Sequence, residues 1–198
     1  MTTIADIRAR IRKDLHDTDS SSYRWPDSQL DRHIERALDE LSLAVPQEKT
    51  ASFATTPGSR ELSLSSLSSL VEIEAVEYPT GNFPPSYVDF SLWGDTLTLN
   101  LDQPPSGETA VIFYTARQTL DEDGTSLPGS LEDIVCMGAA AYAALEQSAF
   151  TIDRLNTGGQ VARDYEDWGR ARLTAFSQLL HQYSRTNRVR GRRLYRPA

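Results

Sequence analysis

Four groups of residues in this chain have types and spacings that chemistry could use. Asp121-Glu122-Asp123-Gly124 has the outline of a calcium loop. Aligned on the third, fifth and sixth loop positions, however, it puts Thr119 where the first ligand belongs and Ser130 where a bidentate Glu belongs, so it reads as a solvated acidic turn. Asp164, Glu166 and Asp167 carry metal-type oxygens, yet Arg163 stands four residues before Asp167 and Arg170 four after Glu166, the spacing of ion pairs along a helix. His16, His33 and His181 share no common spacing and read as exposed residues on polar helix faces. Cys136 lies in an apolar helical run, where a small buried thiol is the expected reading rather than a nucleophile. No G-x-S-x-G elbow, G-x-x-x-x-G-K-[ST] loop, H-E-x-x-H or C-x-x-C occurs. The expectation is a non-enzymatic protein with no catalytic residue, cofactor or metal.

The segment that folding does not explain is the C-terminal one. Residues 187–198 interleave Arg188, Arg190, Arg192, Arg193 and Arg196 with Val189, Leu194 and Tyr195, which combines bidentate charge contacts with apolar anchors on a strand that can dock in a partner's groove. The charge is divided sharply. Arg185 to Ala198 hold six arginines and no acid, which leaves 14 basic against 28 acidic residues in the first 184. A body at −14 repels nucleic acid, whereas an end at +6 can bind phosphate or an acidic groove. An alternative reading is therefore a nucleic-acid-binding module that uses the arginine-rich end, with Tyr195 stacking on bases.

These segments need a scaffold, and 198 residues with 39% hydrophobic and 24% charged composition can supply one ordinary core. A single cysteine excludes a disulfide framework, and the N-terminus has no signal-peptide pattern, so a soluble protein of a reducing compartment, without a membrane anchor, is expected. Ile4, Ile7, Ile11 and Leu15 set a helical period over residues 4–15, with Thr3 and Asp6 as a capping box. A second helix starts near Trp25-Pro26-Asp27 and carries Leu30, Ile34, Ala37, Leu38, Leu41 and Val45 to Pro46. From about residue 50 the period becomes two, and five or six strands are expected around 61–64, 71–75, 87–90, 96–101 and 111–114, the last the most buried. Val76 and Tyr78 break the parity of their strand, which marks a bulge near Ala75. Trp93-Gly94-Asp95 reads as a turn.

Helical spacing returns after Leu127-Pro128, and the run of Gly138 and alanines makes this helix thin enough for another backbone to come close. Beyond Gly158-Gly159 a helix of about 25 residues, roughly 38 Å, carries Val161, Tyr165, Trp168, Phe176, Leu179 and Tyr183. The expected fold class is α+β: a helical bundle from residues 1–49 and 127–186, an inserted antiparallel β module at 50–126, and an extended basic C-terminal arm at 187–198.

Arg24-Trp25-Pro26-Asp27-Ser28-Gln29-Leu30 entering a helix, the Val71 to Tyr78 strand, the Trp93-Gly94-Asp95 turn, Val111 to Thr115, and Leu127-Pro128 opening an alanine-rich helix follow one another in an order that resembles the head-to-tail connector proteins of tailed bacteriophages, the portal-docking adaptors of the neck. The resemblance implies a structural subunit of the virion, assembled in the host bacterial cytoplasm. It would form a ring, usually of twelve copies, under the portal protein. Carried to this chain, it implies portal binding by Arg188, Val189, Arg190, Arg192, Arg193, Leu194 and Tyr195, and contacts between copies through Ala140, Ala144, Tyr165 and Trp168. The partners implied are the portal protein, further copies of the chain, and the next neck or tail-completion protein. Genomic DNA would pass through the channel without specific binding.

Overall fold

The computed structural model describes residues 2–152 and 159–189. They form two units, one helical (residues 2–45 with the described part of 118–189) and one of strands (residues 46–117).

The helical unit begins at α1 (Ile4–Asp14), whose first turn is closed by the reciprocal cap expected: Thr3 N donates to Asp6 Oδ2 at 2.9 Å, and Asp6 N to Thr3 Oγ1 at 3.4 Å. Pro26 stands at the N-cap of α2 (Asp27–Ala44), since its ψ of 150° is extended rather than helical. The remaining helices are α3 (Gly129–Ile152) and α4 (Gly159–Val189). Ile7 and Ile11 of α1, Leu30, Ile34 and Leu41 of α2, Val135 and the alanines of α3, and Phe176 of α4 meet in one core.

Two glycines set how close the helices come. A Cβ on Gly138 would lie 2.9 Å from the Phe176 ring and 3.0 Å from Ala37 Cβ, and one on Gly169 would lie 2.9 Å from Leu145 Cγ. Residue 138 thus faces 176 while 145 faces 169, so α3 and α4 run antiparallel with a bare backbone position on each. At 31 residues, about 46 Å at 1.5 Å per residue, α4 is longer than its apolar period indicates.

In the other unit, β1 (Gln47–Ala54), β7 (Thr109–Ala116), β3 (Leu70–Glu77) and β4 (Tyr87–Val88) form a sheet in the order β1-β7-β3-β4. A second sheet has the order β2-β6-β5, from β2 (Glu61–Ser63), β6 (Thr96–Leu99) and β5 (Phe90–Trp93). Every strand pair is antiparallel. Leu62, Leu97 and Leu99 from one sheet and Ile73, Val76, Ile112 and Tyr114 from the other share a core, which makes the unit a small sandwich.

The described residues hold seven strands rather than five or six. The strand without an apolar signature is β1, an edge strand whose Gln47, Glu48, Lys49, Thr50 and Ser52 are recruited by an eight-residue register with β7. The chain changes sheet at Asp89, which divides the expected 87–90 strand into β4 and β5. The parity break in β3 is a register shift between Ile73 and Ala75, with another between Leu70 and Glu72, and it lets both Ala75 and Val76 turn inward. Together the elements make an α+β fold.

Candidate functional site

The most elaborated surface of the helical unit is built on the segment between α1 and α2. Arg12, only 5% exposed, donates to Asp17 Oδ2 (2.6 Å), the Trp25 carbonyl (2.8 Å) and Asp27 Oδ1 (2.6 Å). Asp17 in turn accepts from the backbone N–H groups of Arg24 (2.8 Å) and Trp25 (3.3 Å). A buried guanidinium with this many acceptors pins a loop that has no hydrophobic period of its own. Its product is the placement of two neighbours: Trp25 goes fully into the core, its Nε1 donating to the Ala143 carbonyl at 3.3 Å, and Arg24 is left at the rim.

Arg24 donates to the Tyr165 hydroxyl, and the Tyr165 ring meets Trp25 edge-on at 6.2 Å. One turn along α4, Arg172 lies 4.8 Å over the Trp168 ring and 3.7 Å from Asp14. Arg24, Tyr165, Trp168 and Asp14 border a surface cavity of about 360 Å³, lined also by Leu15, His16, Asp164 and the half-exposed Val161. An aromatic floor with a mixed-charge rim suits an inserted protein side chain. It presents no nucleophile beside a base.

Of the four residues expected between copies, Tyr165 and Trp168 stand at this cavity, each half-buried against the core. Ala140 and Ala144 do not: both are 0% exposed within their own chain, enclosed in the core that α3 shares with α2 and α4. The thin helix admits its own bundle partners at these two positions. Arg188 and Val189 belong to the last residues of α4, and Arg190, Arg192, Arg193, Leu194 and Tyr195 lie outside the described residues. Sequence reasoning missed Arg24 and Val161 at the cavity. The available signal was a Trp preceded by Arg at a helix entrance.

His33, expected on a polar face, is buried, and its Nε2 lies 2.6 Å from Glu146 Oε2. Burial pushes its pKa down, against the opposing pull of Glu146. Burial raises the Glu146 carboxyl, but bonds from Arg32, Gln29 and His33 outweigh it and hold the pKa at about 2. Cys136 is buried and its thiol is pushed up to about 12 by desolvation, far from thiolate chemistry. Asp121 Oδ1 is turned onto the N–H groups of Asp123 and Gly124, both at 2.9 Å, as an Asx turn. Glu166 and Arg170 are paired at 2.6 Å. Among the described residues there is no group of three or more His, Cys, Asp or Glu placed to hold a metal, and no helix is long and apolar enough to cross a membrane.

Comparison with known proteins returned no match among curated proteins. The family model for the SU10 adaptor protein matches residues 2–196, which spans both units and the basic end. The chain belongs to the SU10 adaptor protein family and is a structural adaptor protein of a bacteriophage.

Proposed function

We propose that this protein is the head-to-tail connector of the particle: a ring of copies under the portal protein that extends the DNA channel and joins the capsid vertex to the next neck or tail-completion protein. The observation that carries the reading is the family match over residues 2–196, which takes in the arginine-rich end together with the folded body. Residues 188–195 act as the arm that docks on the portal, by guanidinium contacts and the Leu194 and Tyr195 anchors. Neighbouring copies meet through the Tyr165 and Trp168 cavity, because an amphiphilic pocket that receives a neighbour's side chain makes a head-to-tail contact of the kind that closes into a ring. An acidic body suits a channel in which DNA slides without specific binding, since arrays of Lys and Arg would hold phosphate. The same charge disfavours the nucleic-acid-binding alternative.

The test mixes the cognate portal with the full chain and with a truncation after Val189, which leaves α4 whole. Co-sedimentation of the full chain alone is the expected result. Equal co-sedimentation of both would remove the docking role of residues 190–195, and none with either would remove portal docking altogether.

A further inference from the structure

The β unit carries an aromatic that nothing in its own sandwich uses. Trp93 is 90% exposed at the end of β5, where the chain turns through Gly94 at φ 55° into β6. Side chains alternate across a strand, so Leu92 shares the inner face with Phe90 while Trp93 shares the outer face with Ser91. The register continues that face across the sheet: Trp93 pairs with Thr96 and Thr96 with Ser63, while Ser91 pairs with Thr98 and Thr98 with Glu61. The outer face thus carries the short hydroxyl side chains of Ser63, Ser91, Thr96 and Thr98, with Glu61 at one corner and one indole at another.

We infer that this face of the β2-β6-β5 sheet is a docking surface for a second virion protein, distinct from this chain, which receives Trp93 in an apolar pocket bordered by Lys and Arg. Exposed Trp on a turn anchored by cross-strand pairing is preorganised, as interface anchors are, and short hydroxyl side chains permit flat approach. Charge selects the partner. Residues 46–117 contain nine acidic and three basic side chains, with Glu61 on the face and Asp95 beside the indole. Two copies meeting face to face would set acid against acid, whereas a basic rim is complementary.

The test places p-benzoyl-phenylalanine at position 93 of the full chain in a host producing virions, and at Phe83 as a control, since Phe83 is 98% exposed elsewhere in the same unit. After irradiation, purified virions are digested and the adducts sequenced. Position 93 is expected to yield an adduct with one other virion protein, on a peptide rich in Lys or Arg that position 83 does not reach. That protein, purified, should bind the full chain with an affinity that falls about tenfold or more on Trp93→Ala. It should also weaken with Glu61→Lys and with added salt. An adduct only with another copy of this chain, no adduct in virions, or Trp93→Ala binding within about twofold of the parent would overturn the inference.

Discussion

Replacing Gly138 by alanine tests how the bundle is held together. In a free helix the change would stabilise by up to about 1 kcal/mol, because alanine loses less backbone entropy. Here the new methyl would sit 2.9 Å from two ring carbons of Phe176 and 3.0 Å from Ala37 Cβ. Carbon pairs are comfortable at about 3.5–4.0 Å, so the ring or the helix must retreat by roughly 0.6 Å or more. Phe176 is 0% exposed and has no open side to move into. Overpacking of this kind costs about 1–3 kcal/mol, which leaves a net loss of up to about 2 kcal/mol after the helix gain is offset. For a chain of this size that lowers Tm by up to about 8 °C. Urea titration followed by helical circular dichroism gives the value. Gly129→Ala is the control, since a Cβ there meets nothing within 4 Å. Combined with Phe176→Leu, which frees space, Gly138→Ala should cost less than it does alone. A stability gain on Gly138→Ala, equal to that of a free helix, would refute close packing at this crossing.

Acid should destabilise the helical unit in two stages. His33 has a folded pKa below its ordinary 6.5, so the unfolded state binds the proton more readily and stability is lost as pH falls below about 6.5; His33→Gln should flatten that part of a urea-midpoint profile. Glu146, held at about 2 against an ordinary 4.5, adds stability that is complete above 4.5 and is lost as pH falls toward 2, a limb that Glu146→Gln should remove. Arg12→Ala strands Asp17 among buried neighbours and should cost about 3–5 kcal/mol in urea unfolding; a loss under about 1 kcal/mol would mean water takes over the guanidinium's bonds.

Local patterns in the sequence decided the helices and most strands, because period, caps and breakers act over a few residues. Thr3 and Asp6, the Leu30 to Leu41 stripe and the Val111 to Tyr114 run each specify an element without outside help. The weakness of the calcium-type loop is also legible, since Thr119 and Ser130 stand where its first and last ligands belong. Partners distant in the chain were not. β1 exists because β7 pairs with it, and its own residues carry no strand pattern. His33 reads as a surface residue until α3 brings Glu146 to 2.6 Å. The small residues of α3 announce a close approach but not by whom; the bundle directs Ala140 and Ala144 to α2 and α4 of the same chain. Trp93 reads as turn punctuation, and only the register of β5 on β6 puts it on the outer face, where it is 90% exposed. Composition and periodicity thus determined the kind of elements and the charge division between body and end. Which face of each element is covered, and which is left to meet another protein, was decided by contacts between residues far apart in sequence, and no local preference encodes those.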